Sequence, residues 1–321
     1  MRHTPDPIKM TPAMAVQHKR SNAAHYVERN ERTWGQFAAA LEKNGLTTMD
    51  GVKAFKGILV KNHKGSREVF RIPVTDANGR AHTLYLKRIW KSYKKDGLLS
   101  LLQRGHVWSV SRREWENSKA LTAAGLRTAS LIAVGEECGL LWEKFSYILT
   151  AEATGTQTLE HFLQTCLDPA RRRRVLDALA LEIRKMHDAG LASPDLFTRH
   201  IFVDDAADVP AFCLIDMARL DRRHSLSTAL RARDLAALNI TAPMRHVSAR
   251  ERLRFLKHYS ERNSKAFLPL IRVRMNHLLR RRKFRAFARP VEPTMTAPLE
   301  LNMPRLTTRP GVETSLEHVQ P

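Results

Sequence analysis

The stretch "HDAGLASPDLFTRHIFVDD" occupies residues 187–205 and places two chemically active side chains in apolar surroundings. Asp195 stands between a proline and a leucine, and His200 follows five residues later, just before the apolar run IFV. A carboxylate and an imidazole in a half-buried loop are typical of a catalytic or binding site. An aspartate after proline is also a common turn former, and an isolated histidine is often structural. The segments around the stretch therefore have to distinguish these interpretations.

The flanking segments indicate a helix before this loop and a hairpin after it. Residues 171–189 carry apolar side chains at spacings of three and four, which predicts a helix that ends at Gly190. Residues 201–215, IFVDDAADVPAFCLI, read as two apolar strands joined by an acidic turn. Asp216 follows directly, and a carboxylate inside the apolar run AFCLIDMA is costly to bury without a partner.

The front half of the chain is rich in strand patterns, and the rear half is mainly helical. Residues 56–90 hold three β-rich runs separated by the turn signals KGS and DANG, which predicts an antiparallel sheet. Residues 111–124 read as a helix that ends at Gly125, and two more strand-like runs follow it. Residues 228–280 read as helices. The sequence therefore predicts an α+β protein with two lobes.

This pattern divides the chain into four parts. Residues 1–45 form an N-terminal extension, in which we expect a flexible arm over residues 1–30 and then a short helix. Residues 46–152 form the strand-rich lobe, and residues 153–290 form the helical lobe. Residues 291–321 are rich in proline and threonine, which predicts a disordered tail.

Composition narrows the classes of partner and compartment. The chain has 54 Lys and Arg against 32 Asp and Glu, a net charge of +22, which favours anionic partners. Cys138, Cys166 and Cys213 show no CxxC spacing, so we expect neither a disulfide framework nor a zinc site. There is no signal-peptide pattern and no apolar run of 18 residues. We therefore expect a cytoplasmic protein.

Three features in chain order suggest phosphoryl transfer. Lys87 lies in the strand pattern HTLYLKRIW, Asp195 lies in the loop described above, and Asp216 follows 21 residues after Asp195. Phosphoryl transfer needs a fixed cation for the nucleotide phosphates, a carboxylate for the attacking hydroxyl, and a carboxylate for the metal. Each residue alone favours a structural role, whereas the ordered set favours catalysis.

Several segments resemble one known family. "MHDAGLASPDLFTRHIFVD" and "FCLIDMARL" resemble the Kdo/WaaP family of lipopolysaccharide kinases, which are protein-kinase-like. "YLKRIW" is similar to the family's strand lysine, "RREWENSKALTAAGL" to its N-lobe helix, and "RARDLAALNITAP" to the helix after its metal site. The resemblance covers roughly residues 55–260. It implies a two-lobed protein-kinase-like fold.

The resemblance also implies roles for individual residues. Lys87 would contact the nucleotide phosphates, and Glu114 would be its partner on the N-lobe helix. Asp195 would be the catalytic base, and Asp216 would bind Mg²⁺. Glu152 closes the run YILTAE, where the hinge is expected, so that backbone groups on either side of it would meet adenine.

The sequence departs from ordinary protein kinases at three points. The triplet Ser193-Pro194-Asp195 replaces His-Arg-Asp, and we expect Asp234 to support this loop. His200 replaces an asparagine that binds magnesium, and imidazole is a poor ligand for that ion. His200 is therefore a candidate metal or phosphate ligand, or a residue that holds a catalytic aspartate in place. The segment KNHKGSREVF offers only Gly65 to a phosphate-covering glycine loop.

The function implied by the resemblance is an ATP- and Mg²⁺-dependent kinase for a sugar hydroxyl, heptose or Kdo, of the lipopolysaccharide inner core. The implied partners are a lipid-linked sugar acceptor and the anionic inner leaflet. Residues 268–290 contain eight Arg and Lys and no acid, so this basic segment either packs on the helical lobe or lies on the membrane as a peripheral anchor on its inner face.

Two alternatives from other classes stay open at this stage. One is a kinase-fold protein that acts on a protein or a small-molecule acceptor, because acceptor choice depends on pocket shape. The other is a basic nucleic-acid-binding protein, suggested by the net charge of +22 and the run RRRR at residues 171–174. The chain shows no zinc pattern, recognition helix or RNP aromatics, so no nucleic-acid partner is expected.

Overall fold

The structure is a computed structural model that describes residues 24–284, except 64, 91–106, 140–141, 243–245, 261–263 and 282–283. The expected disordered tail at residues 291–321 lies outside the described residues, as does the first part of the expected N-terminal arm.

The strand-rich lobe is built on one antiparallel sheet of six strands. These strands are β1 Ala24–Arg29, β2 Ile58–His63, β3 Arg67–Thr75, β4 Ala81–Trp90, β6 Leu131–Cys138 and β7 Glu143–Ala151. Their spatial order is β1-β6-β7-β4-β3-β2, and every neighbouring pair is antiparallel. Alternating apolar residues on β3 and β4 turn one face of the sheet towards the core.

Helices cover the two faces of this sheet. α1 (Glu31–Lys43) and α2 (Met49–Ala54) pack on one face, where Phe37 and Leu41 of α1 join the sheet core. α3 (Val110–Ala123) packs on the other face through Trp115. Ser109 caps α3, and Gly125 takes a positive φ of 73° after its end, as the glycine stop signal predicts.

The prediction of a flexible arm is wrong for residues 24–29. These residues form β1, which pairs with the outer edge of β6 from Arg29 opposite Ala133 to Ala24 opposite Cys138. The segment carries little apolar pattern, so its sequence does not indicate a strand. Its main chain satisfies the open edge of β6, and this pairing exists only once the sheet has formed.

The helical lobe surrounds a larger apolar core. Its helices are α4 Leu159–Thr165, α5 Pro169–Asp188, α6 Thr228–Thr241, α7 Ala249–Ser260 and α8 Ser264–Leu279. Its strands are short: β5 Arg127–Thr128, β8 Gln157–Thr158, β9 Leu191–Ala192, β10 Ile201–Asp204, β11 Ala211–Leu214 and β12 Asp221–Arg222. The predicted helix over residues 171–189 is confirmed as α5, and the predicted hairpin is confirmed as β10–β11. The α+β, two-lobed prediction is also confirmed.

The described part of the basic segment has one packed side and one exposed side. Phe284 is buried beside Phe197 and Ile240 of the helical lobe. On the outer side, Leu270 and Val273 of α8 are exposed. Among the described residues, no helix is long and apolar enough to cross a membrane.

Candidate active site

A cleft of about 410 Å³ lies between the two lobes, within the size range of small-molecule sites. The strand-rich lobe lines it with β2, β3, β4, β7 and α3, and the helical lobe contributes the loop before β10 and the end of β11. The lining includes charged side chains from both lobes, namely Lys61, Arg67, Lys87, Glu114, Glu152, Arg199, His200 and Asp216.

Lys87 forms the electrostatic centre of this cleft. Its Nζ lies 2.5 Å from Glu114 Oε2 on α3 and 2.7 Å from Asp216 Oδ1 in the helical lobe. Burial acts to lower the pKa of Lys87, but the two carboxylates outweigh it and raise that pKa. The Lys87 ammonium in turn holds the pKa of Asp216 well below its usual range. The lysine therefore joins the two lobes while carrying a full positive charge.

Asp216 adopts an uncommon backbone conformation. Its φ is +57°, in the left-handed region that few residues other than glycine enter. The residue follows the end of β11 closely, and its carboxylate turns into the cleft. Asn117 of α3 donates from Nδ2 to the carbonyl of Met217 at 2.8 Å, which ties the N-lobe helix to this segment. The neighbouring contacts thus maintain a strained conformation at a functional position.

Asp195 lies in the catalytic loop, which we define as residues 193–200. Both of its carboxylate oxygens accept from Nη1 of Arg219, at 3.1 and 3.2 Å. The Asp195 amide donates to Ser193 Oγ at 3.3 Å, and the Asp195 carbonyl accepts from the Phe197 amide at 2.7 Å. These contacts fix the orientation of the carboxylate, so Arg219 is a positioning residue for Asp195.

A buried network anchors the catalytic loop from below. Asp234 of α6 is fully buried and accepts from the Ser193 amide and from Arg233 Nε. His187 lies 3.3 Å from Asp234 through Nε2 and 2.7 Å from the Tyr259 hydroxyl through Nδ1. The prediction that Asp234 supports the loop is confirmed. Asp234 contacts the main chain of Ser193, so this contact does not depend on the His-Arg pair that precedes the aspartate in protein kinases.

His200 uses both ring nitrogens within the site. Nδ1 lies 3.0 Å from the Asp195 carbonyl and donates to it, while Nε2 accepts from Arg199 Nε at 3.2 Å. Nε2 also lies 3.7 Å from Asp216 Oδ2. Burial is the main cause that lowers the pKa of His200, which favours the neutral ring. His200 therefore connects Asp195 and Asp216.

Glu152 lies at the rim of the cleft, where β7 leaves the sheet. Its side chain accepts from the Tyr85 hydroxyl at 3.2 Å, and its amide donates to the Thr83 carbonyl at 2.9 Å. The amide of Glu152 is therefore engaged within the sheet. Ala151 and Ala153, on either side of Glu152, also line the cleft.

The structure lines one cleft with Lys87, Glu114, Glu152, His200 and Asp216, and Asp195 adjoins it through the contact of its carbonyl with His200. The structure also adds three arginines to this region. Arg67, Arg199 and Arg219 were not assigned roles, although Arg219 lies within the quoted motif FCLIDMARL. Arg219 reaches Asp195 from a separate segment, Arg199 contacts the neighbouring His200, and Arg67 lines the cleft from β3. The chain has a net charge of +22, so the presence of an arginine does not by itself indicate a residue of the site.

Comparison of this chain with known proteins identifies its family. The family model described as "Lipopolysaccharide kinase (Kdo/WaaP) family" matches residues 50–259. A curated relative, "Lipopolysaccharide core heptose(I) kinase WaaP" of Pseudomonas aeruginosa, is 28% identical over 229 residues, covering 68% of this chain and 82% of the relative. The protein of the same name from Escherichia coli K12 is 29% identical over 158 residues, covering 46% of this chain and 58% of the relative.

A solved structure described as "WaaP in complex with acyl carrier protein" superimposes with a TM-score of 0.58 at 24% identity. The match covers 82% of this chain and 100% of that chain. At this identity the likeness supports the fold alone, whereas the family model covers most of the described residues. The chain therefore belongs to the lipopolysaccharide kinase (Kdo/WaaP) family, whose kinase activity implies phosphotransfer from ATP to a sugar hydroxyl.

Proposed function

We propose that this chain transfers the γ-phosphate of ATP, with Mg²⁺, to a heptose hydroxyl of the lipopolysaccharide inner core. The observation that carries the proposal is the Lys87 ion pair with Glu114 and Asp216, formed across the cleft from the loop that holds Asp195. Heptose is favoured over Kdo because two relatives bear the name heptose(I) kinase.

The roles of the chain's own residues follow from these contacts. The Lys87 ammonium binds the nucleotide phosphates, and Glu114 keeps it aimed into the cleft. Asp195 accepts the proton of the acceptor hydroxyl, since its carboxylate is held in one orientation by Arg219. Backbone groups beside Glu152 meet the adenine. These are positioning and electrostatic contributions, which dominate phosphoryl transfer.

Asp216 is the residue that fits Mg²⁺. Its side chain is 33% exposed in the cleft, and Mg²⁺ prefers carboxylate oxygen, phosphate oxygen and water. When bound, the ion neutralises charge on the transferring phosphate. His200 becomes a second ligand only if Arg199 releases Nε2, so we assign His200 first to holding the Asp195 main chain. The described residues contain no group of three or more His, Cys, Asp and Glu that would hold a metal.

The test is phosphate transfer by the purified protein. Radiolabelled ATP should label a heptose-containing core glycolipid and should leave casein unlabelled, and EDTA should stop the reaction. Asp216→Asn should abolish the labelling, while Asp188→Asn, at an exposed ion pair with Arg231, should retain it. Labelling of casein without labelling of the glycolipid would favour the alternative, a kinase for protein acceptors.

We propose further that the protein is cytoplasmic and associates peripherally with the anionic inner leaflet through α8. This helix exposes the apolar side chains of Leu270 and Val273 as well as the basic side chains of Arg272 and Arg274. Interfacial helices combine exposed apolar and basic side chains in this way. Vesicles containing anionic lipid should therefore sediment the protein at low salt, and neutral vesicles should not. Replacing Arg272 and Arg274 by Gln should weaken the binding.

An acidic carrier protein is a second candidate partner, since the solved neighbour was described in complex with acyl carrier protein. The groove between α5 and α7 is lined by Arg173, Arg250 and Lys257, beside the exposed Leu253. Such a surface is complementary to an acidic protein. Titration with purified acyl carrier protein should show binding that falls with salt. The double change Arg250→Glu and Lys257→Glu should remove it.

A further inference from the structure

The hairpin of β2 and β3 lines the cleft through Lys61, Arg67 and Val69. Its turn corresponds to the place where protein kinases have a glycine-rich loop over the nucleotide phosphates. That loop uses free backbone amides. Here the Gly65 amide donates to Asn62 Oδ1 at 2.9 Å, and the Ser66 amide donates to the His63 carbonyl at 3.0 Å. Both amides are therefore engaged within the turn, and neither is available to a phosphate.

The sequence after this turn explains what takes the place of the glycine loop. The kinase pattern is G-x-G-x-x-G-x-V, with a glycine two residues before the valine. In this chain Val69 lines the cleft, and the residue two positions earlier is Arg67. Because side chains two residues apart on a strand share a face, Arg67 and Val69 both point to the cleft. The position that holds a glycine in the kinase pattern is therefore occupied here by a cationic side chain, that of Arg67.

The surroundings of Arg67 indicate that its guanidinium is available to bind a phosphate in the cleft. Arg67 lines the same cleft as Lys87 and Asp216. It is only half-buried, and its guanidinium forms no hydrogen bond or ion pair with any described residue. Lys87, by contrast, is held by two carboxylates. No described residue therefore occupies the side-chain donors of Arg67, which leaves them for a ligand.

We infer that Arg67 binds the β- and γ-phosphates of the nucleotide in place of the backbone amides of a glycine-rich loop. A guanidinium offers paired donors in a planar fork that matches phosphate oxygens. The inference rests on the proposed kinase function and specifies how that site holds the triphosphate. It assigns phosphate recognition in the upper part of the cleft to a side chain.

The test measures nucleotide binding without any acceptor. Calorimetric titration should give an ATP affinity that is about 10- to 100-fold weaker for Arg67→Gln than for the wild type, because a charge-assisted hydrogen bond is lost. Adenosine, which has no phosphates, should bind both proteins equally. Arg67→Lys should restore part of the ATP affinity. The matched control is Arg80→Gln, an exposed arginine in the turn between β3 and β4, which should bind ATP as the wild type does.

The outcomes separate this inference from the proposed function. Equal ATP affinity of Arg67→Gln and the wild type, at unchanged melting temperature, would overturn the inference. Equal loss of ATP and adenosine binding would also overturn it, because the effect would then be structural. Wild-type protein that binds ATP through Arg67 but does not phosphorylate heptose would instead refute the proposed acceptor and leave the inference standing.

Discussion

The catalytic loop below the cleft and the hairpin turn above it, residues 65–66, are held in opposite ways. The loop is buried at Ser193 and Thr198, and it is tied to α6 at two points, Asp234 and Thr241. The turn is held by hydrogen bonds from Gly65 and Ser66 to the end of β2, and by the Trp90 amide of β4, which donates to the Ser66 carbonyl at 2.9 Å. Asp195 therefore depends on the core of the helical lobe, whereas the turn depends on contacts at the end of the sheet.

This difference has a physical cause. A buried polar group without a partner lowers the free energy of unfolding by about 1–3 kcal/mol. The loss of any one buried hydrogen bond under the catalytic loop therefore destabilises the fold. An exposed turn can exchange its hydrogen bonds with water at little cost. Changes below the cleft should therefore affect stability and turnover, and changes in the turn should affect little. Four substitutions test this contrast, from the largest expected effect to the smallest.

The first substitution is Asp195→Ala. Turnover should fall about 10²–10⁴-fold, because general-base catalysis contributes in the transition state, while ATP affinity should change by less than about threefold. Steady-state kinetics and ATP titration measure the two quantities separately. Asp195→Asn keeps the shape of the side chain and an acceptor for Arg219, and it should lose turnover to a similar degree. A large loss of ATP affinity in both variants would contradict the role of base.

The second substitution is Asp234→Ala. It removes a buried carboxylate that faces the Ser193 amide and Arg233, and breaking such a buried pair costs about 3–5 kcal/mol of unfolding free energy. Urea unfolding measures the change, and turnover should fall as the loop loses its anchor. The control Asp188→Ala breaks an exposed pair with Arg231 and should cost less than about 1 kcal/mol. Equal losses of unfolding free energy in the two variants would mean that Asp234 contributes no more to stability than an exposed ion pair.

The third substitution is Tyr259→Phe. The hydroxyl lies 2.7 Å from His187 Nδ1 in a fully buried position, so its removal leaves the ring nitrogen without that partner. The free energy of unfolding should fall by about 1–3 kcal/mol. Urea unfolding should detect this loss, and turnover should fall less than in Asp234→Ala. An unchanged midpoint would show that water or another group satisfies His187.

The fourth substitution is Gly65→Ala in the hairpin turn. Gly65 has a φ of +70°, and an added Cβ would meet no atom within 4 Å, so the expected cost is conformational strain of about 1 kcal/mol. Because the Gly65 amide already donates to Asn62, ATP affinity should change by less than about twofold. Titration with ATP measures this. A tenfold loss of affinity would show that the turn's main chain contacts the phosphates after all.

Local patterns were sufficient for most elements of the fold. Apolar spacing predicted α5, and two apolar runs with an acidic turn predicted the β10–β11 hairpin, because both signals depend on residues close in sequence. The strand β1 was missed, because its main chain pairs with β6 more than a hundred residues later and its side chains carry little pattern.

The side chains proposed to carry the chemistry were candidates from the sequence alone, since Lys87, Asp195 and Asp216 belong to short motifs whose residue types suit phosphoryl transfer. Their mutual contacts were not. Lys87 meets Asp216 across 129 residues, and Arg219 meets Asp195 across 24. The first contact requires both lobes to be folded and the second requires the helical lobe, because the closeness of distant segments depends on packing and not on spacing along the chain.

The chain order of motifs therefore specified the family and the two-lobed fold, and it supplied the residues proposed to carry the chemistry, because these depend on residue type and local periodicity. The tertiary structure alone decided how those residues are held. It placed Asp234 under the catalytic loop, occupied the amides of the hairpin turn, and left the Arg67 guanidinium facing the cleft. A polar group needs a protein partner only when folding buries it away from water. The identity of that partner depends on the tertiary structure and cannot be read from the sequence pattern.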